Sequence, residues 1–436
     1  MKKINSSIAV FWFRRDLRLD DNTGLFNALK SKLAILPIFI FDTNILSQLD
    51  DKNDRRVDFI HQALFDLQQK LEQIGSSLCV KIGNPLQVFE ELTMEYNIKA
   101  VYTNRDYESY AIQRDKEVET YIQKKGIEFI SYKDQVIFEA NEVLKSNGEP
   151  YTIFTPYSKV WKQKLTEKCY ELSLSEKLIS QFVKTEKLPI PSLEDIGFKK
   201  TDIRFILPEI DETIISNYEE TRNFPAIEGT TRLSIHLRFG TISIRRIVAM
   251  ALKLNEQWLN ELIWREFFMS ILVNFPHVEK GAFRKKYEGI MWLNNENDFK
   301  NWCEGKTGYP IVDAGMRQLN ETGWMHNRVR MIVASFLTKH LLIDWRWGEA
   351  YFANKLIDYE LSANNGNWQW AAGCGCDAAP YFRVFNPTEQ TKRFDPELKY
   401  IRKWVKDFDS LDYPQPIVEH SFARNRALEV YKKGIN

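Results

Sequence analysis

The 436-residue sequence lacks any long apolar run: no uninterrupted stretch approaches the ~18 residues that a membrane-crossing helix requires, so no membrane span is expected. The amino-terminal run Ser6-Ser7-Ile8-Ala9-Val10-Phe11-Trp12 gives way to Arg14-Arg15-Asp16 without a small-residue cleavage site, which argues against a secretory signal. Cysteine is scarce. Cys79, Cys169, Cys303, Cys374 and Cys376 are odd in number and show no metal-ligand spacing, which argues against a disulfide framework and points to reduced thiols in the cytoplasm. The six histidines are scattered, so no metal is expected. A large excess of one charge is also missing: the net charge is +1, and any surface for a polyanion must be a local groove.

The length suffices for two domains. Tryptophan is plentiful, with 12 residues, of which 10 lie at Trp258 or later, so any chemistry that needs indole rings belongs to the second half. For a single tryptophan, core packing is the simpler explanation.

Apolar, β-branched runs at 8–13, 33–41, 77–82 and 100–103 read as buried parallel strands, and helical periodicity covers 55–74 and 109–125. Together they predict an α/β domain over 1–130 with a doubly wound parallel sheet, which takes ligands beyond its strand ends near 14–16 and 42–44. Gly148-Glu149-Pro150, Thr155-Pro156 and Pro189-Ile190-Pro191 punctuate the region 131–200, which reads as a linker. Helical spacing then persists, predicting a large all-helical domain over 201–436.

Two nucleotide-like motifs lack their required context. Gly373-Cys374-Gly375-Cys376-Asp377-Ala378 fits a dinucleotide fingerprint but follows no strand, and Gly305-Lys306-Thr307 has Lys300 where a phosphate loop needs its first glycine. More informative is a predicted helix over 257–275, on which Glu261, Trp264, Arg265 and Phe268 share one face. That face offers either an ion pair beside a core indole or a platform where a flat base stacks while a carboxylate bonds its polar edge. A second predicted helix, 324–340, aligns Asn327, Arg330, Met331 and Ala334, and an arginine on a half-apolar stripe calls for an anion such as Asp358.

The long stretches Gly308-Tyr309-Pro310-Ile311-Val312-Asp313-Ala314-Gly315, Trp324-Met325-His326-Asn327-Arg328-Val329-Arg330-Met331, Asn364-Asn365-Gly366-Asn367-Trp368-Gln369-Trp370 and Asp377-Ala378-Ala379-Pro380-Tyr381-Phe382-Arg383 resemble the photolyase/cryptochrome family. So do Phe11-Trp12-Phe13-Arg14-Arg15-Asp16 and Glu228-Gly229-Thr230-Thr231-Arg232-Leu233-Ser234, so the resemblance spans both domains and is greatest to photolyases of class I that act on cyclobutane pyrimidine dimers. It implies a light-driven repair enzyme in which FADH⁻ absorbs blue or near-UV light and passes an electron to a flipped-out dimer in UV-damaged DNA; base flipping by photolyases is a known general case. A cryptochrome-like photoreceptor without repair activity is the alternative, and a monomer is expected.

By resemblance, Glu261 and Trp264 contact the dimer, with Asn327, Met331 and Asn364 at the reaction centre, and Trp368, Trp345 and Trp292 form an electron-hopping chain. Flavin contacts fall to Tyr218, Thr230, Thr231, Leu233, Ser234, Trp258, Glu261, Arg265, Asn327, Arg330, Asp358, Glu360 and Asn364, and DNA contacts to Arg222, Trp264, Arg328 and Arg383. From the residues alone, the hydroxyls of 230–234 read more simply as those of a helix N-cap than as phosphate donors.

Asn327 and Met331 stand where enzymes for (6-4) photoproducts carry histidines, and Asn364 stands where plant cryptochromes carry aspartate. Both departures favour dimer repair. Glu360 replaces an expected aspartate, and the interval from Trp404 to Tyr413 is short. Tyr110-Ala111-Ile112 replaces the Asn-Glu of folate-binding relatives, so an antenna chromophore is open among folate, deazaflavin, a second flavin or none.

Overall fold

The computed structural model describes residues 6–435; the sequence's Met1-Lys2-Lys3 start and its end at Asn436 lie outside them. Two compact units emerge from the contacts. The first comprises Met1–Glu139, Lys164–Glu209 and Leu233–Met250, and the second Ala140–Gln163, Ile210–Arg232 and Ala251–Asn436. The region read as a linker is therefore shared between them.

In the first unit, β1 (Ile8–Phe13), β2 (Ala34–Asp42), β3 (Cys79–Gly83), β4 (Ile98–Asn104) and β5 (Glu128–Tyr132) form one parallel sheet in the order β3-β2-β1-β4-β5. Every residue of β1 is buried, as expected for a strand covered on both faces. Helices α1 (Thr23–Lys30), α2 (Arg55–Glu72), α3 (Pro85–Glu95) and α4 (Ser109–Lys124) complete the doubly wound arrangement. The fifth strand, at an edge and only partly buried, adds to the four read from the sequence.

The strand order reverses beside β1, where a doubly wound sheet opens its crevice. Here Gly24 is required for close approach: its N–H donates to Asn104 Oδ1 at 2.9 Å, and a Cβ would collide with that oxygen. Arg14 pairs with Asp115, Arg15 with Asp106 and Glu108 at 3.0 and 3.1 Å, and the Tyr110 hydroxyl donates to Asp42 at 2.7 Å. The strand ends near 14–16 and 42–44 are thus lined with ion pairs. Deeper in this unit, Arg18 and Arg245 hold Asp134 at 2.6 and 2.8 Å.

The second unit is helical. Its principal helices are α5 (Phe154–Lys164), α6 (Glu256–Asn274), α7 (Pro310–Thr322), α8 (Asn327–Ser335), α9 (Trp345–Lys355), α10 (Leu361–Ala372) and α11 (His420–Ile435). Its main core gathers Trp302, Met316, Val333, Leu337, Trp345 and Trp368, all nearly inaccessible to solvent. Helix α8 begins later than the expected 324, because the His326 side chain accepts the Arg328 N–H at 3.1 Å and so caps the helix at Asn327. At its far end a π-helical turn, Phe336–His340, replaces the regular helix. Gly373 and Gly305, from the two rejected nucleotide motifs, are left-handed C-caps with φ of 89° and 65°. Among the described residues no helix is long and apolar enough to cross a membrane, and no cluster of three or more His, Cys, Asp or Glu is placed to hold a metal.

Candidate functional site

Helix α6 carries Trp258, Glu261, Trp264 and Arg265, and Asn255 caps it by accepting the Trp258 N–H at 2.9 Å. Glu261 forms a close ion pair with Arg222 and accepts a hydrogen bond from Gln257 at 3.0 Å. Arg222 also lies 5.4 Å over the Tyr218 ring. The Tyr218 phenol is pushed up by burial and by Glu261. Residues drawn from two separate parts of the sequence, Tyr218 and Arg222 on one side and Gln257 and Glu261 on the other, thus make one cluster. The ion pair between Glu261 and Arg265 that their shared helix face permits is not formed. Arg265 reaches Glu360 instead, Nε to Oε2 3.2 Å.

Helices α8, α9 and α10, with the segment before α10, line a pocket that opens partly to solvent and has a cavity volume of about 90 Å³. Asn327, Arg330, Met331, Asp358, Glu360, Asn364 and Trp368 all line it, as do Ala334, Tyr359 and Trp370. The predicted face of Asn327, Arg330, Met331 and Ala334 is therefore the cavity-facing side of α8. Arg330 Nη2 donates to both Asp358 oxygens, at 2.9 and 3.2 Å, and its Nε donates to the Met325 carbonyl at 2.8 Å. Two acceptors fix the guanidinium in place. Asn364 is tied from behind, its Nδ2 donating to the Glu349 carbonyl oxygen at 3.1 Å. Trp368 lies so close to α9 that only a glycine fits at Gly348, where a Cβ would meet the indole.

Trp345 and Trp368 sit in the main core, and Trp292 packs against it, partly buried. Trp368 is 5.1 Å from Phe352 and 6.1 Å from Trp302, and Trp292 is 5.7 Å from Tyr431. The three indoles of the expected chain thus belong to one aromatic-rich core.

Arg328 donates to Asn223 at 2.6 Å and lies 4.3 Å over Phe394. Burial, together with Arg222, Arg393 and Arg383, lowers its pKa to about 10, so these four arginines share one electropositive region. The same field acts on His326, which burial and then Arg328, Arg330, Arg232 and Arg222 lower to about 4, keeping the ring neutral at ordinary pH. Thr230 and Thr231 fall in the second unit, and Leu233 and Ser234 in the first. None of their hydroxyls caps the following short helix, whose N-cap is Leu233 without a side-chain bond.

Trp370 lines the cavity, yet in the sequence only its place two residues after Trp368 marks it. Phe154 stacks on the expected dimer-contacting residue Trp264: its ring lies 3.7 Å from that of Trp264 with 6° between the planes. Its position within a proline- and glycine-punctuated stretch hides it in the sequence.

The cavity joins ring walls from Trp368, Trp370, Tyr359 and Phe352 to a fixed guanidinium and the carboxamides of Asn327, Asn364 and Asn367, a donor set that fits a flat ring system with polar edges. A parallel α/β unit followed by a helical unit with such a cavity defines a flavoprotein of the photolyase and cryptochrome class. Residues 9–175 match the DNA photolyase family, and residues 258–412 match the FAD binding domain of DNA photolyase. The chain is 37% identical to the deoxyribodipyrimidine photo-lyase of Synechococcus sp. and 38% identical to that of Escherichia coli, covering 97% of this chain in both cases and 96% and 98% of those proteins. A class III photolyase structure from Agrobacterium tumefaciens superposes with a TM-score of 0.88 at 30% identity, over 99% of this chain and 98% of that one. A photolyase structure from Sulfolobus tokodaii, which contains two FAD molecules, gives 0.79 at 35% identity, over 98% and 100%. The chain belongs to the DNA photolyase family.

Proposed function

We propose that this protein is a deoxyribodipyrimidine photo-lyase, a light-dependent enzyme that splits cyclobutane pyrimidine dimers in UV-damaged DNA. The observation that carries the reading is the cavity walled by Trp368, Trp370, Asn364 and the Arg330–Asp358 pair, in the same unit as the arginine cluster around Arg328. When bound, reduced FAD supplies the photoexcited electron that opens the cyclobutane ring. Arg330, held by Asp358, would oppose negative charge on that group, and Asn327 and Asn364 would hold it through their carboxamides. Trp368, Trp345 and Trp292 would relay electrons from an external reductant at the surface toward that group. Glu261 and Trp264 receive the dimer, the carboxylate at its polar edge and the indole against its plane. Arg222, Arg328 and Arg383 meet phosphates and help offset the cost of flipping, which is about a few kcal/mol and least for damaged bases.

The test is turnover. Reduced, FAD-loaded protein illuminated with dimer-containing oligothymidine is expected to restore the thymine absorbance band, and bound, reduced flavin without restoration defeats the assignment. A cryptochrome-like photoreceptor is the second reading, because a Synechocystis cryptochrome shares the fold with a TM-score of 0.82 at 26% identity. It predicts photochemistry without restoration. An antenna chromophore in the first unit is a separate matter, decided by any second band in the absorption spectrum of the purified protein.

A further inference from the structure

The contact between Phe154 and Trp264 is not what ring packing alone favours. Aromatic pairs prefer offset or edge-on arrangements with centroids ~4.5–7 Å apart, because face-to-face stacking sets like quadrupoles against each other. Here the centroids are 3.7 Å apart and the planes 6° from parallel. The other neighbours of Trp264 on α6 are ordinary by comparison: Phe267 meets it edge-on at 5.6 Å and 79°, and Phe268 lies offset at 5.5 Å and 30°. The sandwich must therefore be imposed by the frame.

That frame is α5. Tyr157 and Trp161, three and seven residues after Phe154, are both only 1% exposed and anchor the helix against α6. Tyr157 packs on Phe267 with centroids 5.1 Å apart, and the Trp161 indole N–H donates to Glu266. At the start of the helix the Phe154 N–H donates to Asp377 Oδ2 at 3.0 Å, an acceptor from the chain just beyond α10. Helix α5, which carries Phe154 at its start, is thus held along its length, while Trp264 keeps part of its surface open.

We propose that Phe154 is a positioning residue for lesion recognition: it backs one face of Trp264 and locks the indole plane, so that a flipped base stacks on the part left open. The inference deepens the reading above and rests on Trp264 being a base-stacking residue. It requires a flat ring at position 154, whereas a helix-packing role requires only apolar volume.

The test uses the full-length, FAD-loaded protein and measures affinity for dimer-containing and undamaged oligothymidine in the dark. Phe154→Leu and Phe154→Ala are expected to weaken binding of the dimer roughly two- to tenfold, the range of an aromatic pair beyond its burial. Flavin content and affinity for undamaged strand are expected to hold, and Phe154→Tyr is expected to restore the dimer affinity. Dimer affinity of Phe154→Leu equal to the parent, with Trp264→Ala weakened, overturns the role of Phe154 and leaves that of Trp264 standing. Unchanged dimer affinity in Trp264→Ala removes both. If the alanine variant does not fold, the comparison of leucine with tyrosine decides the matter.

Discussion

Arg222 closes on the carboxylate of Glu261 and leaves Arg265, one helical turn along the same face, to pair with Glu360. The acid proposed to meet the dimer is thereby oriented by a cation from outside its own helix. Removing it does two things: it deletes one acceptor for the lesion, and it leaves the Arg222 guanidinium with only phosphate to pair with. Glu261→Ala is therefore expected to lower dimer affinity by about 1.5–3 kcal/mol, the usual range for a hydrogen bond to a charged group. Affinity for undamaged DNA is expected to stay level or rise, with flavin content retained. Equal dimer affinity in parent and variant removes the proposed contact.

The salt dependence of DNA binding reports the arginine cluster. Each phosphate contact contributes a slope of about 0.9 in log affinity against log salt for duplex DNA. Arg383→Ala, which leaves the Glu261–Arg222 pair untouched, is expected to reduce the slope by about that amount for damaged and undamaged duplex alike. A loss confined to damaged duplex assigns Arg383 to the lesion instead of the backbone.

Trp345 and Trp368 are nearly fully buried, so replacing either by alanine is expected to cost about 3–5 kcal/mol and would confuse electron transfer with unfolding. Trp292 is only partly buried, so a smaller ring is expected to be tolerated there. Trp292→Phe is expected to slow photoreduction of oxidised flavin while enzyme reduced beforehand repairs dimers at the parent rate. Parent-like photoreduction breaks the proposed chain at its outer end.

Much of this was legible in the residue pattern, for identifiable reasons. β1 announces itself because a strand buried on both faces is apolar throughout, whereas β5, an edge strand reading Glu128-Phe129-Ile130-Ser131-Tyr132, alternates too weakly to stand out. The cavity-lining face of α8 follows from 3.6-residue periodicity, but its first residue does not. Trp324 and Met325 continue the apolar pattern, and only the His326 cap ends it. The partner of Glu261 lies 39 residues away in sequence, and that of Arg265 lies on another element, so local spacing could offer only the wrong pairing. Phe154 was obscured by the prolines and glycines around it.

Glu349 makes the pH dependence of stability testable next to the cavity. Its main-chain carbonyl holds Asn364, and its carboxylate accepts from Asn365 Nδ2 at 3.2 Å. Burial pushes its pKa up to about 7 from an ordinary 4.5, helped by Glu279, while the Asn365 bond and Arg346 pull the other way. The folded protein therefore keeps a proton that the unfolded chain releases near 4.5, and this group's contribution makes stability fall as pH rises between about 4.5 and 7. His326, lowered to about 4, contributes the opposite slope, stability being lost as pH falls from 6.5 toward 4. The parent curve alone is thus a superposition, and the difference between parent and Glu349→Gln isolates the carboxyl, since glutamine still offers an oxygen to Asn365. Urea midpoints measured across this range at constant ionic strength are expected to converge at the acid end and separate toward neutrality, with the glutamine variant the more stable at pH 7. Parallel curves place the Glu349 titration outside this window.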